Sequence, residues 1–405
     1  MNVAIICTGD ELLKGAVTNT NLRFMGEQLL ANGIIPKLAM EVRDGMKAIS
    51  EALEIAFSKA DTVIVSGGLG PTSDDVTKEA AAEFFNLQFV QDDKVYFSLM
   101  KLWQKLKDEG RDTPSRFLNQ CMIPDGSEAI PNRHGTAPGI YLETERGTLI
   151  LLPGPPMELE PMFTKQIMPI LLEKRKREVH SVLLHVAGVP ESEVEERMLP
   201  LISPKLSVAY CASPGLVKLF LSSTDMNLLR ERLVGVKKEF QRELLNSKHM
   251  TLQEEVVRLL ERAGLTLATA ESCTGGLIAE RITDVPGSSN IFLGSVVSYS
   301  NELKEKILHV SPETLEVYGA VSEETCHEML NGIAEATGAD IVLAVTGIAG
   351  PGGGSVEKPV GLVYTGIRID GENHVTENHF RGNRQQVRER TCAAILNELR
   401  LRLSE

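Results

Sequence analysis

The chain has 405 residues, 42% of them hydrophobic and 24% charged, with a formal net charge of −13. Such a globular chain is too long for one ordinary core, so two or three domains are expected. The acidic balance argues against general nucleic-acid binding, which needs a basic surface to displace counterions from phosphates.

The opening "MNVAIICTGDELLKG" has too short an apolar run, and no basic leader, for a secretion signal. No stretch approaches the roughly 20 apolar residues of a membrane span. Cys7, Cys121, Cys211, Cys273, Cys326 and Cys392 form no CxxC pair, so neither a zinc site nor a disulfide framework is suggested. A cytoplasmic protein with no membrane contact is expected. The one dense basic run, "EKRKREV" (173–179), reads as a solvated helix end.

Residues 1–172 alternate short β-branched runs with amphipathic stretches at 19–32 and 46–59. "NVAIIC" (2–7), "DTVIVSGG" (61–68) and "GTLILLPG" (147–154) read as buried parallel strands, which predicts an α/β domain. Loops at the carboxyl ends of such strands converge on the ligand crevice. In "SGGLGPTSDDVTKEA" (66–80), Gly67, Gly68 and Gly70 let backbone amides approach an anion. Thr72, Ser73 or Asp74 can cap the following helix, whose N-terminus favours phosphate. Asp74 and Asp75 beside such a loop suit a bridging divalent cation, or simply cap the helix. Asp10 and Glu11 close the first strand, and "NRHGTAPG" (132–139) and "PGPPMELEPM" (153–162) add turns that expose backbone.

Residues 176–248 read as a small α+β unit with an antiparallel character. A boundary near 249–251 precedes the amphipathic "LQEEVVRLLERAG", which opens a second α/β domain over 251–405.

In that domain "LTLAT" (265–269) leads through "AESCTGG" into a helix expected to begin near Thr274 or Gly275. Ser272 then sits at a strand-to-helix corner, with amides at Thr274, Gly275 and Gly276 converging where an oxyanion can be held. A plain capped turn uses the same residue types. A serine needs a base, and no histidine of this domain falls in a recognisable loop. "GSVVSYSNELKEKILHV" (294–310) places Lys304 in the first turn of a helix, where the dipole disfavours a cation and lowers its pKa. Lys304 is a candidate base, against the bland reading of a solvated surface lysine, and Tyr299 is placed to orient it or relay a proton. Cys273 is the rival nucleophile, although cysteine is commonly a small buried hydrophobe.

"IVLAVTGIAGPGGGSVEKPVGLVY" (341–364) joins two strands by a glycine-rich loop. Its ordering cost suggests a phosphate or ribose cradle formed by Thr346, Gly347, Gly350, Gly352 and Gly353. Arg381 and Arg384 in "FRGNR" either supply charge to that phosphate or make a solvated turn.

"GDELLKG", "TNTN", "SGGLGPTSDDVT", "GTAPG" and "LPGPPMELEPM" resemble the domain shared by molybdopterin-binding proteins and the competence/damage-inducible CinA family. "AESCTGG", "YSNELK", "GAVSEET", "VTGIAGPGGGSVEKPVG" and "GNRQQVR" resemble that family's nicotinamide mononucleotide deamidase domain. The resemblance spans essentially the whole chain. It implies a three-layer molybdopterin-binding-like domain over 1–172, a KH-type α+β domain over 176–248 and an α/β deamidase domain over 251–405. It further implies an N-terminal ADP-ribose pyrophosphatase that uses a divalent metal (Co²⁺ or Mg²⁺) and K⁺. By motif, Asp10, Glu11 and Asp75 meet the metal, while Gly67, Gly68, Gly70, Thr72 and Asp74 meet the diphosphate. The C-terminal reaction implied is metal-free hydrolysis of the nicotinamide mononucleotide carboxamide by Ser272 and Lys304, with Tyr299 nearby. A homodimer is also implied. Residues 176–248 carry no GxxG loop, so RNA binding there is not expected. Two other readings stand beside this one: an N-terminal module that binds pterin or nucleotide without turnover, and a protein partner in DNA uptake or repair.

Overall fold

The computed structural model describes residues 1–110, 115–175, 179–246 and 251–404. Residues 176–178 of the basic run, and 249 and 250 of the expected boundary, lie outside the described residues. The chain divides into two compact units: Met1–Ser181 with Ser222–Met226, and Val182–Leu221 with Asn227–Glu405.

The first unit is built on a six-stranded sheet. Its strands are β1 (Val3–Thr8), β2 (Leu38–Val42) and β3 (Thr62–Ser66). After the small antiparallel pair β4 (Phe89–Gln91) and β5 (Met122–Pro124) come β6 (Glu128–Ile130), β7 (Gly139–Thr144) and β8 (Gly147–Leu152). The order is β2-β1-β3-β8-β7-β6, parallel through β8 and antiparallel beyond it. Because successive side chains of a strand point to opposite faces, the continuous apolar runs feed two cores. Ala4, Ile6, Val63, Val65, Leu149 and Leu151 pack with Ile49, Leu53 and Ala80 on one face. Val3, Ile5, Ile64, Ile150 and Leu152 pack with Met25, Leu29 and Phe163 on the other. Helices thus cover both faces in a three-layer arrangement. Each large side chain so buried contributes about 1.5–3 kcal/mol.

The next strands are β9 (His180–Ala187), β10 (Ser207–Ser213) and β11 (Leu216–Ser223), in the sheet order β10-β11-β9. Val194 and Val236, from helices Glu191–Met198 and Met226–Glu239, enter a core with Val186, Leu219 and Phe240.

The second unit continues with β12 (Leu267–Glu271), β13 (Phe292–Val297), β14 (Ile341–Gly347), β15 (Leu362–Ile369) and β16 (Glu372–His379). Their order is β13-β12-β14-β15-β16, with the first three parallel and the last two antiparallel. Helix Leu252–Ala263 begins with a Thr251–Glu254 capping box and ends at left-handed Gly264, so both termini are satisfied locally. Leu267, Leu343 and Val345 face one core, while Ala268, Ala270, Val342 and Ala344 face the other. The carboxyl ends of β12 and β14 therefore open side by side.

Candidate functional site

Ser272 follows the last residue of β12. Its N–H donates to the Val345 carbonyl of β14 at 3.0 Å, and the Ser298 N–H donates to the Glu271 carbonyl at 2.9 Å. The main chain at 271–272 is thus held from both sides. Helix Asn301–Leu308 starts at Ser300, whose hydroxyl accepts the Leu303 N–H at 3.2 Å. That start buries Lys304 to 1% exposure. Its Nζ lies 3.1 Å from Ser272 Oγ and donates to the Ser298 carbonyl at 2.8 Å. Burial strips water from the ammonium and holds its pKa below lysine's usual value, against a small opposing effect of Cys273. The result is an amine that gives up its proton more readily than a solvated lysine, within reach of a hydroxyl.

Cys273 is buried, and its thiol is pushed up to about 12, chiefly by desolvation. It therefore stays protonated near neutral pH and is a poor nucleophile. Lys304 Nζ is bonded to the serine rather than to this thiol.

The turn after Ser272 differs from expectation. The helix begins at Leu277, with left-handed Gly275 (φ 61°) and Gly276 (φ 92°) making the corner. Two of the amides assigned to an oxyanion are already used, because Gly275 N–H donates to Ser272 O at 3.1 Å and Gly276 N–H to Glu271 Oε2 at 3.0 Å. Thr274, Gly275 and Gly276 are absent from the lining of the adjacent cavity. The Thr274 carbonyl accepts Arg388 Nε and Nη2 at 2.9 and 2.6 Å. Among the described residues, the N–H of Cys273, which lines the cavity, donates to no backbone carbonyl.

That cavity, of about 260 Å³, is lined by Ser272, Cys273, Lys304 and Tyr299, by Ala320 and Val321, by Thr346 and Gly347 through Gly350, and by Gly352, Gly353 and Arg384. The glycine loop is therefore brought to the Ser–Lys pair. Arg384 Nη1 donates to Gly350 O at 2.8 Å and Nη2 to the Tyr299 hydroxyl at 2.6 Å. Tyr299 is 59% exposed and engages Arg384 rather than Lys304, so it forms the rim and does not orient the amine. Arg381 does not line the cavity; its carbonyl accepts Arg390. Sequence reasoning missed Glu271 as a ligand of the turn, because nothing local marks which way a strand-end carboxylate will turn.

In the first unit a crevice of about 570 Å³ lies at the ends of β1, β3 and β8. Glu11, Gly67, Gly68, Gly70, Asp74 and Asp75 line it. At Gly68 (φ 67°) a Cβ would lie 2.2 Å from Thr77 Oγ1, so only glycine fits. Asp10 does not line the crevice; it pairs with Lys14 at 3.0 Å and Arg43 at 3.8 Å, and the Lys14 contact holds its carboxyl below the usual range. Thr72 is turned aside too, its N–H and hydroxyl donating to Asp75 Oδ2 at 2.9 and 2.5 Å. The carboxylate that sequence reasoning missed is Asp44, which lines the crevice and accepts the Asp10 N–H at 2.9 Å. Burial pushes its carboxyl up, with the like charges of Glu11, Asp10 and Asp74 adding to the effect.

Glu11, Asp44, Asp74, Asp75 and Glu158 give this lining five carboxylates, and among its described residues there is no Lys, Arg or His. No three Asp, Glu, His or Cys side chains among the described residues converge as metal ligands. Asp10, Glu11 and Asp75 therefore do not make a preformed coordination shell, since Asp10 points away and Asp75 is held by Thr72.

These features define a chain of two α/β units, each with a cleft at the carboxyl ends of its parallel strands. Residues 4–173 match the family model "Probable molybdopterin binding domain", and residues 249–403 match "CinA C-terminal domain". A "CinA-like protein" of Dictyoglomus thermophilum is 41% identical over 408 residues, covering 99% of this chain and 98% of that protein. One of Kosmotoga olearia is likewise 41% identical over 408 residues, with the same two coverages of 99% and 98%. The chain belongs to the competence/damage-inducible CinA family. Among solved structures, competence damage-inducible protein A (ComA) of Klebsiella pneumoniae is 37% identical and covers 38% of this chain and 96% of that one, at a TM-score of 0.37. No helix of the described residues is long and apolar enough to cross a membrane.

Proposed function

We propose that the second unit hydrolyses the carboxamide of nicotinamide mononucleotide to nicotinate mononucleotide and ammonia. The observation that carries this reading is the buried Lys304 amine 3.1 Å from Ser272 Oγ. In the neutral state Nζ accepts the Ser272 hydroxyl proton as Oγ attacks the carboxamide carbon. The N–H of Cys273, which lines the cavity, is the donor left for the resulting oxyanion, such a donor contributing about 2.7–4 kcal/mol. The tetrahedral intermediate collapses when Lys304 returns the proton to the leaving nitrogen, which departs as ammonia. Water then attacks the acyl-serine, again passing its proton through Lys304, and nicotinate mononucleotide leaves. Arg384 and the glycine loop suit the 5′-phosphate, as one guanidinium beside backbone amides. An ammonia assay with nicotinamide mononucleotide tests this; a chain with an intact fold and no release contradicts it.

For the first unit we propose hydrolysis of ADP-ribose at its diphosphate. The glycine loop offers backbone amides, while the surrounding carboxylates repel a bare dianion. A diphosphate that arrives already complexed with Co²⁺ or Mg²⁺, with K⁺ as counter-ion, resolves that conflict. Glu11, Asp44, Asp74 and Asp75 would receive the complex, and Gly67, Gly68 and Gly70 would border it. Ligand binding without turnover is a second reading, favoured by the lack of three converging metal ligands among the described residues. ADP-ribose assays with and without these cations separate the two. A homodimer remains part of the proposal, tested by molecular mass in solution.

A further inference from the structure

Glu271 precedes the candidate nucleophile and is completely buried. No Lys, Arg or His pairs with it among the described residues. Its carboxylate instead takes backbone N–H groups from the far side of the turn: Oε2 accepts Gly276 at 3.0 Å and Ile278 at 3.1 Å, and Oε1 accepts Ala279 at 2.9 Å. Thr269 Oγ1 adds a longer contact at 3.4 Å. In helix Leu277–Thr283 the Ile278 and Ala279 amides are therefore satisfied from the strand behind the turn, while Leu277 N–H donates to the Thr274 carbonyl at 3.4 Å and Gly276 at the cap position has no side chain to offer. The main chain of the same residue takes the Ser298 N–H at 2.9 Å, and the Ser298 carbonyl in turn holds Lys304 Nζ at 2.8 Å. One residue thus ties together the strand, the helix and the segment that fixes the amine.

We infer that Glu271 is the positioning residue of the Ser272–Lys304 pair. It closes the turn so that Ser272 Oγ meets Nζ, and it holds the Gly276 amide away from the cavity so that the Cys273 amide is the one left for the oxyanion. This rests on the proposed serine chemistry at the second unit, but not on the identity of the substrate. Glutamine in its place offers one carbonyl oxygen and sets an NH₂ against the third amide donor. Aspartate is one methylene too short to reach all three donors from the same strand position.

The test is labelling of the full chain by an alkyl fluorophosphonate. Ser272 Oγ forms a bond to phosphorus, the P–F bond breaks, fluoride leaves and the hydroxyl proton passes to Lys304. Glu271→Gln and Glu271→Asp are expected to label about 100-fold more slowly, the penalty of misaiming a nucleophile by about 1 Å. Thr251→Ala, which removes the cap of helix Leu252–Ala263 away from the site, is expected to lower the melting temperature and label at the wild-type rate. Glu271 variants that label at the wild-type rate overturn the inference. So does equal slowing in Thr251→Ala, a wild-type chain that does not label, or failure of both Glu271 variants to fold. A wild-type chain that labels but releases no ammonia from nicotinamide mononucleotide contradicts the substrate reading, while the labelling comparison still decides the role of Glu271.

Discussion

Lys304 Nζ lies 3.1 Å from Ser272 Oγ, and both side chains are buried. Burial holds the lysine pKa below its usual value, so the folded state releases this proton at a pH where the unfolded chain still binds it. Ammonia release is therefore expected to rise with pH through the lowered pKa and then level off. Stability should rise with pH between the folded and unfolded lysine pKa values, because the unfolded state binds more protons there. Lys304→Met removes both effects, and its gain in stability over the wild type is largest below the folded pKa. Activity profiles and melting curves at matched pH check this; an unchanged acidic limb in the variant contradicts it.

Arg384 joins the Gly350 carbonyl and the Tyr299 hydroxyl at the mouth of the second-unit cavity. If it also meets the nucleotide phosphate, Arg384→Ala should raise KM for nicotinamide mononucleotide about tenfold or more, the worth of one charge-assisted hydrogen bond. Nicotinamide riboside, which has no phosphate, should lose little. Equal losses on both compounds contradict phosphate contact.

Arg400 and Glu255 are both buried, 3.8 Å apart. The guanidinium also donates to the carbonyls of Leu244 at 3.3 Å and Arg242 at 2.7 Å. Burial already raises the Glu255 pKa, an effect that Arg400 opposes. Arg400→Met strands that carboxylate and is expected to cost about 3–5 kcal/mol. The Glu255 pKa rises further in the variant, so its loss of stability should deepen as pH climbs through the folded value. Denaturant melts at acidic and neutral pH measure this.

Asp44 lines the first-unit crevice and Asp10 does not. ADP-ribose turnover should therefore fall sharply in Asp44→Asn and stay near wild type in Asp10→Asn. The opposite order restores the assignment made from the motif alone.

The parallel frame was legible because hydrophobic pattern alone specifies it. "NVAIIC", "DTVIVSGG" and "GTLILLPG" became β1, β3 and β8, adjacent in one sheet. Lys304 stood out by its awkward place at a helix start, and the structure sets it beside Ser272. What stayed hidden were orientations decided by tertiary partners. Asp10 turns to Lys14 and Arg43, Tyr299 turns to Arg384, and Glu271 turns back to claim the Gly276 amide, one of those assigned to an oxyanion. Asp44 was missed because the loop after β2 carries no glycine signature like that after β3, and only folding brings it into the crevice.

The proposed reaction is cleavage of a nucleotide carboxamide by Ser272, activated by Lys304. Its most direct test is ammonia release from nicotinamide mononucleotide by the wild-type chain and by Ser272→Ala at matched concentration and pH. Steady release by the wild type, with none above the uncatalysed rate from the variant, is predicted. Equal release by both would contradict it.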